Sequence, residues 1–447
     1  MFGRNKNKKF QREKFTPKRP KEKGNFDIPL VLVVAFMLIF GLIMIFSASA
    51  ILAYTQWGDT FYYFKRQIIW IVIGTILGFI AFKVPINSIK KSSTLILIIG
   101  LFLMAYMLPE ALSPSNGIGK LIEMPLVNTK NGATRWIDFT FFDVQPAELI
   151  KIALILFASR WFSMGDELKK NIEKSIKKFQ DNPLLHSLAF VFYTFLPFIV
   201  LGTIVVMILA QKDLDTIVII VLTFISIFFA AGTTKKHTIT ALLFLIVSIA
   251  GGVIAMLAEG YRRVRFNSFL QILLQGEPSA KAKTDASFQI WNGLIAIGSG
   301  GIFGLGYNES RQKLFFLQEA AYTDSIFAVI AEEFGLIGSF VVILGFLFFA
   351  SRGLSIAKNA STKFSSLLAI GLTSWIVIQG FLNIAANLSI IPFGGMPLPF
   401  FTYGGSNTIT VLIAVGLLLN ISREKKGSHS EGRQIDRSAR VKMLRQV

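Results

Sequence analysis

The sequence predicts an all-α integral membrane protein that crosses the bilayer ten times. Apolar residues make up 53% of the 447 positions, and 43 residues are phenylalanine. Many runs of about eighteen or more residues carry hardly a charge, which is the length that a helix needs to span a bilayer. The predicted spans are 29–53, 66–84, 93–110, 146–162, 188–210, 215–231, 238–257, 325–350, 364–388 and 404–421.

The charge of the segments between spans predicts the orientation. Lysine and arginine crowd the N-terminal tail, the loop 169–178, the Lys235–Lys236 turn and the C-terminal tail. Positively charged loops stay in the cytoplasm, and an even number of spans puts both tails on one side. We therefore predict basic cytoplasmic tails at 1–27 and 423–447, and a transmembrane domain at 28–422.

This orientation places three loops outside. Two are long, 111–145 and 258–324, and a shorter loop, 389–403, joins the last two spans. A transporter commonly has charges near the bilayer midplane and inverted repeats. Here the polar residues cluster at the outer ends of spans and no repeat is visible, so the pattern favours chemistry at the outer surface.

The net charge of +20 does not indicate nucleic-acid binding. The charge lies in tails and turns, without a basic domain or interleaved aromatic residues that would contact bases. Anionic lipid headgroups or cytoplasmic proteins are the predicted contacts of the tails. The apolar stretch from Ile28 is too long for a cleavable signal peptide and has no small-residue cleavage site after it, so we interpret it as a start-transfer span.

The residue types that are present limit the kinds of catalysis that are possible at the outer surface. The chain has no cysteine, which excludes disulfides and thiolate chemistry. Its three histidines, His186, His237 and His429, all fall on the predicted cytoplasmic side. An outer histidine base or zinc site is therefore excluded.

Asp324 is the predicted catalytic residue. It stands at the outer start of span eight, after the polar residues Gln318, Glu319 and Thr323. Burying a carboxylate in hydrocarbon costs about 2.5–3.5 kcal/mol or more, so we expect Asp324 to face a water-filled pocket. Glu319 and Thr323 are predicted to contact the substrate in that pocket.

A second polar group surrounds the start of span four. Arg135 and Trp136 end the first outer loop, and Pro146 is expected to open the helix. Glu148 and Lys151 follow, three residues apart on one helical face. In one interpretation they neutralise each other inside the bundle. In the other, Lys151 and Arg135 present cations to an anionic headgroup, and Trp136 covers a sugar face or anchors the helix.

Three further cations are predicted on the outer side. Lys313 is a candidate for substrate binding, whereas Arg262 and Arg263 also fit contacts with lipid phosphates. Ser406 opens span ten, where it either caps the helix or helps its backbone amides to meet an anion.

Two neighbouring carboxylates lie deeper in span eight. At about 1.5 Å per residue, Glu332 is about 12 Å along the helix from Asp324, and Glu333 lies slightly further. That separation is too large for direct proton sharing. At least one of the two is predicted to pair within the bundle, as intramembrane carboxylates usually do.

Two short motifs allow more than one interpretation. Asp213-Leu214-Asp215 is a D-x-D, a metal-diphosphate signature in many soluble transferases, or else a charged turn between helices. No cofactor is predicted with certainty, and a divalent cation such as Mg²⁺ or Mn²⁺ stays open. GSGGIFGLG, at 298–306, lacks the register and the ending of a nucleotide-binding loop and is predicted to let a re-entrant or interfacial helix pack closely.

Several separated motifs occur together in one order. They are NGATRWI, QPAELIK, AIGSGGIFGLG, YTDSIFAVIAEEFGLIG and NIAANLSIIPFGGMPLPFFTYGGSN. In this order they resemble the SEDS family (shape, elongation, division and sporulation) over essentially the whole transmembrane region. The FSASA and RGLSIA segments resemble the division branch of that family more than the elongation branch.

The resemblance implies a ten-helix bundle with an outward-facing cavity in the bacterial cytoplasmic membrane. It also implies a peptidoglycan glycosyltransferase that polymerises lipid II with a class B penicillin-binding protein and other divisome or elongasome membrane proteins. The family's catalytic aspartate corresponds to Asp324, and Arg135 and Lys151 lie in family motifs. Joining an acceptor 4-hydroxyl to an anomeric carbon with inversion needs one base.

The chain departs from the family pattern in two places. Before Asp324 it has Gln318 in place of proline, one additional residue, and Tyr322 where histidine or glutamine is frequent. At 212–216 it has KDLDT in place of PDLGT. The loop is therefore expected to enter the site differently from that of its relatives.

Two other functions stay open. In a lipid II flippase or transporter, Asp324 and the cations would line a route for the headgroup. A non-catalytic scaffold would only recruit the penicillin-binding protein. The ionisable residues bunch at one face and mark no continuous path, which favours the polymerase.

Overall fold

Most of the chain between residues 25 and 424 is described by a computed structural model. The described residues are 25–112, 125–130, 133–139, 143–165, 183–232, 251, 260–275, 285–392 and 394–424. Predicted span seven, 238–257, lies outside this set except for position 251.

Helices dominate the described residues. In chain order they are α1 (Ile28–Trp57), α2 (Tyr62–Lys83), α3 (Ile86–Tyr106), α4 (Leu108–Leu112), α5 (Pro146–Ser163), α6 (Pro183–Ala210), α7 (Leu214–Ala230), α8 (Gly260–Gln275), α9 (Asp285–Ser299), α10 (Glu319–Tyr322), α11 (Ile326–Asn359), α12 (Lys363–Asn387) and α13 (Gly405–Ser422). Six of them, α1, α2, α3, α11, α12 and α13, are long and apolar enough to cross a membrane. The predicted all-α multi-pass class is confirmed. The count of ten spans stays a prediction, because span seven is not described.

Several helices extend beyond the ends that hydropathy predicted, and α3 and α11 extend furthest. Helix α3 begins at Ile86 rather than at 93, and its first turns carry Lys90 and Lys91. Helix α11 continues to Asn359 rather than ending near 350, and includes Arg352. Hydropathy reports the part of a helix in hydrocarbon, whereas the helix itself continues until its last carbonyls find partners.

Helix α5 occupies the centre of the described bundle. It packs against α3, α7 and α12, and nearly all of its residues from Pro146 to Ser159 are buried. Its polar residues therefore point at other helices rather than at lipid. The end of the bundle where α5 begins and α12 finishes is the end that the charge pattern predicts to face outward, and it is called the outer end below.

A small sheet covers part of this outer end. Strands β1 (Val127–Lys130), β2 (Ala133–Asp138) and β3 (Asp143–Val144) form an antiparallel sheet in the order β1-β2-β3. Ile137 on β2 is paired with residues on both neighbours and is buried. The sequence analysis predicted this segment only as a loop. The sheet leads directly into α5 and fixes where that helix starts.

Helix α11 is broken at Gly335, about two and a half turns after its start at Ile326, where φ is 64° and ψ is −155°. A segment from Gly300 to Gly306 inserts at the break. The amides of Leu305 and Gly306 donate to the carbonyls of Glu332 and Glu333, each at 3.0 Å. In return, the amide of Leu336 donates to the carbonyl of Gly301 at 2.9 Å. The glycine-rich segment therefore packs closely on α11, whereas its predicted role beside a re-entrant or interfacial helix stays a prediction.

Substitution of Gly300 is expected to disturb this packing. A Cβ atom there would lie 1.9 Å from the carbonyl oxygen of Ala331, and backbone atoms cannot move aside cheaply. We expect Gly300→Ala to lower the free energy of unfolding by about 2 kcal/mol or more, measured by SDS titration in mixed micelles. Gly298→Ala is the matched control, because nothing lies within 4 Å of its Cβ position. Equal stability of the two variants would contradict the prediction.

Candidate active site

Asp324 lies in the short turn between α10 and α11 at the outer end of the bundle. Its side chain is half-buried. The hydroxyl of Thr323 donates to its Oδ1 at 2.5 Å, and the same hydroxyl is within hydrogen-bonding distance of the carbonyl of Glu319 at 2.8 Å. Glu319 itself is exposed. The three residues that the sequence predicted at this position therefore do lie together.

Two asparagines on α12 hold the backbone of Asp324. The side-chain amide of Asn383 donates to the carbonyl oxygen of Asp324 at 2.9 Å, and that of Asn387 donates to the same oxygen at 3.0 Å. Asn383 also donates to the carbonyl of Met396 at 2.6 Å. The turn that carries Asp324 is thus fixed to the loop after α12.

That loop brings two adjacent glycines against two carboxylates. A Cβ atom at Gly395 would lie 3.2 Å from Oδ2 of Asp324. A Cβ atom at Gly394 would lie 2.0 Å from Oδ1 of Asp215, which is on α7. Glycine keeps both approaches open, because any side chain at these positions would fill the space beside the carboxylates.

Glu148 and Lys151 form an ion pair inside the bundle. The Lys151 Nζ lies 2.7 Å from Oε1 of Glu148, and each residue is only 2% exposed. Oε2 of Glu148 accepts hydrogen bonds from Asn407 at 3.1 Å and from Thr410 at 3.2 Å. This geometry agrees with the first interpretation of the pair, in which the two charges neutralise each other. The ammonium of Lys151 does not lie on the outer surface.

Gln379 connects this ion pair to the loop beside Asp324. Its Oε1 accepts from Lys151 Nζ at 3.0 Å and from the indole of Trp375 at 2.9 Å. Its Nε2 donates to the carbonyl of Pro397 at 3.0 Å. The ammonium of Lys151 also lies 4.9 Å from the centre of the Trp375 ring.

Gln379, Asn383 and Asn387 are site residues that the sequence analysis missed. They are four residues apart, so they share one face of α12. This amide stripe joins the buried ion pair, the Gly394–Pro397 loop and Asp324. The spacing of polar amides within an apolar span was the signal that could have revealed it, because such residues face the bundle interior.

Arg135 and Ser406 act at the junction of the sheet with the helices. Nη2 of Arg135 donates to the carbonyl of Lys212, and its Nε is buried with no hydrogen-bond partner among the described residues. The hydroxyl of Ser406 accepts from the amide of Gln145 at 3.1 Å and donates to the carbonyl of Asp143 at 3.1 Å. Ser406 therefore ties β3 to α13.

Two of the remaining predicted residues have different surroundings. Trp136 is half-buried on β2, opposite Asn128. Lys313 is buried, and its Nζ lies 2.7 Å from Glu333 Oε1 and 2.9 Å from the hydroxyl of Ser47. The prediction that a deep carboxylate pairs within the bundle is confirmed. The side chains of Arg262 and Arg263 lie outside the described set.

Glu332 has a different role from Glu333. Its Oε2 accepts from the hydroxyl of Ser310 at 2.5 Å, and its Oε1 accepts from the amide of Arg311 at 3.0 Å. These contacts hold the chain just before a π-helical turn, Lys313–Leu317. The two deep carboxylates therefore position the segment that precedes Asp324.

Three tyrosines pack behind Asp324. The ring centre of Tyr63 lies 4.6 Å from that of Tyr322 and 5.2 Å from that of Tyr403. The amide of Tyr403 donates to the carbonyl of Tyr322 at 2.9 Å. Burial raises the pKa of Tyr322 and of Tyr403 above the ordinary value for a phenol. Both hydroxyls stay protonated near neutral pH, so neither offers a base beside Asp324.

A family model decides the relationship of this chain to known proteins. The FtsW/RodA/SpoVE model, described as a cell cycle protein, matches residues 28–427. The chain belongs to the FtsW/RodA/SpoVE family.

Individual proteins support this family assignment. The chain is 35% identical to stage V sporulation protein E of Bacillus subtilis, over 90% of this chain and 98% of that protein. It is 34% identical to a probable peptidoglycan glycosyltransferase FtsW of Geobacter sulfurreducens, over 91% and 98%. Its fold matches a chain of a solved peptidoglycan synthase complex with a TM-score of 0.65, at 20% identity, over 89% of this chain and 98% of that chain.

The first aspartate of the D-x-D motif has a clear structural role. Asp213, the first residue of the D-x-D, caps α7: its Oδ2 accepts from the Thr216 hydroxyl at 2.9 Å and from Gln145 at 3.3 Å. Asp215 faces Gly394 instead. Asp213 therefore acts as a helix cap, which agrees with the interpretation of this motif as a charged turn between helices. In the described part of the chain, no group of three or more His, Cys, Asp or Glu side chains is arranged to hold a metal ion.

Proposed function

We propose that this chain is a peptidoglycan glycosyltransferase that polymerises lipid II at the outer face of the bacterial cytoplasmic membrane. The observation that carries the proposal is Asp324. Its carboxylate is half-buried at the outer end of a span, its backbone is held by two asparagines, and a glycine keeps the space beside it open. The names of the relatives support the same activity.

The reaction needs one proton acceptor. Asp324 takes the proton from the 4-hydroxyl of the acceptor sugar as that oxygen attacks the anomeric carbon of the donor chain. A new C–O bond forms, and the bond from the anomeric carbon to the diphosphate oxygen breaks. Undecaprenyl diphosphate leaves with the electron pair, and the anomeric configuration inverts.

The departing diphosphate needs cations that are already in place. Arg135 is the best candidate, because its guanidinium is only partly buried and has N–H donors besides the one that is hydrogen-bonded to the carbonyl of Lys212. Its planar fork suits a diphosphate. Lys151 has a different role in this proposal: with Glu148 and Gln379 it supports the loop beside Asp324 from inside the bundle.

The proposal also includes the orientation of the chain in the membrane and its partner protein. Both basic tails lie in the cytoplasm, so Asp324 faces outward, where lipid II is used. The partner is a class B penicillin-binding protein. The solved peptidoglycan synthase complex supports such a partner, since its chain has this fold. We propose a role in cell division rather than in elongation, because the FSASA and RGLSIA segments resemble the division branch of the family.

A polymerisation assay tests the activity. The chain is purified in complex with its class B penicillin-binding protein and supplied with lipid II. We expect glycan strands on a gel, and none from the partner alone. No polymer from the complex, together with translocation of fluorescent lipid II in vesicles that contain the chain, would replace the polymerase with the flippase. Absence of both activities would favour the scaffold.

A further inference from the structure

Asn383 connects two backbone segments of the candidate site. It lies on α12, is 1% exposed, and its Nδ2 donates to the carbonyls of both Asp324 and Met396, at 2.9 and 2.6 Å. A primary amide has two N–H donors. Both are used, and each goes to a different segment of the active-site surface.

The orientation of this amide is determined by its neighbours. The two groups that face Nδ2 are backbone carbonyls, which only accept hydrogen bonds. The amide of Asn387 lies 3.3 Å from Oδ1 of Asn383 and 3.0 Å from its backbone carbonyl. A flipped Asn383 would place its oxygen against two carbonyl oxygens. One side chain is therefore fixed between the turn of Asp324 and the loop of Met396.

This connection sets a distance that matters for chemistry. Gly395, next to Met396, is the residue whose Cβ position lies 3.2 Å from Oδ2 of Asp324. The carboxylate and the glycine therefore form two sides of one small space. Asn383 fixes both sides through backbone carbonyls, those of Asp324 and Met396.

We propose that Asn383 is a positioning residue that sets the Asp324 carboxylate at a fixed distance from the Gly394–Pro397 loop. The acceptor hydroxyl enters between them. This inference rests on the proposed function, in which Asp324 is the base. A shift of about 1 Å in a reacting group can lower a rate about 100-fold. Loss of Asn383 should therefore lower kcat and leave the binding of lipid II nearly unchanged.

The chain supplies a closely matched control at the other end of the bundle. Asn420 on α13 is 8% exposed, and its Nδ2 also bridges two backbone carbonyls, those of Ala81 and Val84, at 2.9 and 2.6 Å. Asn383→Leu and Asn420→Leu each remove one amide that bridges two backbone carbonyls, and Asn383→Leu also removes the Oδ1 atom that lies 3.3 Å from the amide of Asn387. The two variants should lose similar stability, but only one of them affects the candidate site.

The experiment measures kcat and KM for lipid II polymerisation per folded complex, for the native chain and both leucine variants. We expect Asn383→Leu to lower kcat about 100-fold with KM within about threefold. Asn420→Leu should keep the native kcat. Asn387→Leu removes a donor to the Asp324 carbonyl but leaves the bond from Asn383 to Met396, so its kcat should lie between those of the other two variants. In an Asp324→Asn background, Asn383→Leu should have no further effect on the residual rate.

The possible negative results distinguish the positioning role of Asn383 from the proposed function. Polymer from the native chain with an unchanged kcat for Asn383→Leu would overturn the positioning role and leave the proposed function intact. An equal fall in kcat for both leucine variants would also overturn it, because the loss would then follow stability alone. No polymer from the native chain would overturn the proposed function and this inference together.

Discussion

Replacement of Asp324 with asparagine is expected to lower the rate of lipid II polymerisation by about 10²–10⁴-fold, the usual contribution of a general base. Asparagine keeps the size of the side chain and can still pair with Thr323, so folding and assembly should be preserved. What it removes is the ability to take a proton from the acceptor hydroxyl. Strand formation on a gel, normalised to folded complex, measures the effect.

Glu319→Gln is the control for Asp324→Asn. Glu319 is a nearby carboxylate on α10, but it is exposed, and its backbone carbonyl rather than its side chain lies near the hydroxyl of Thr323. Glutamine at this position keeps a polar side chain that can still contact the substrate and leaves the carboxylate of Asp324 in place, so the rate should stay within a few-fold of the native value. Equal polymer from the native chain and from Asp324→Asn would remove Asp324 from catalysis, whatever Glu319→Gln does.

Replacement of Lys151 with methionine is expected to lower the free energy of unfolding by about 3–5 kcal/mol, because Glu148 is then left as an uncompensated buried charge. Methionine fills much of the volume, so the charge is the main change. The double variant Lys151→Met/Glu148→Gln buries no charge and keeps an acceptor for Asn407 and Thr410. It should recover most of the lost stability. SDS titration of purified protein measures each step.

An exposed ion pair on the same protein provides the comparison for Lys151. Lys65 lies 2.9 Å from Asp59, and its side chain is 63% exposed. Water screens such a pair, so Lys65→Met should change stability little. If Lys151→Met unfolds at the native SDS fraction, the pair with Glu148 does not carry the stability assigned to it.

Much of the architecture followed from the sequence because lipid imposes a simple rule. A span must be apolar over its length and satisfy its own backbone, so the apolar stretches beginning near Ile28, Ile326 and Lys363 were readily predicted as helices. The ends were less accurate, as α3 and α11 show. Charge counting predicted orientation but carries no information on which helices touch.

The candidate site was predictable only in part. Asp324 could be predicted because a carboxylate at the end of an apolar span costs free energy to bury, and such residues are usually functional. The i,i+3 spacing of Glu148 and Lys151 predicted their pairing but not the depth at which they lie. Asn383 escaped notice because its role depends on two carbonyls that the fold brings together, and one of them is 59 positions away along the chain.

The break at Gly335 has a consequence for how this protein is built. Unpaired carbonyls are not tolerated in hydrocarbon, and those of Glu332 and Glu333 find their donors in residues 305 and 306 rather than only within their own helix. A membrane helix of this kind is incomplete by itself. Synthesis runs from the N-terminus, so the segment that completes the helix leaves the ribosome first and is already present when residues 326–359 enter the bilayer. Chain order thus supplies the insertion partner before the helix that depends on it, and a rearranged gene that reversed this order would deliver an unsatisfied helix to the membrane.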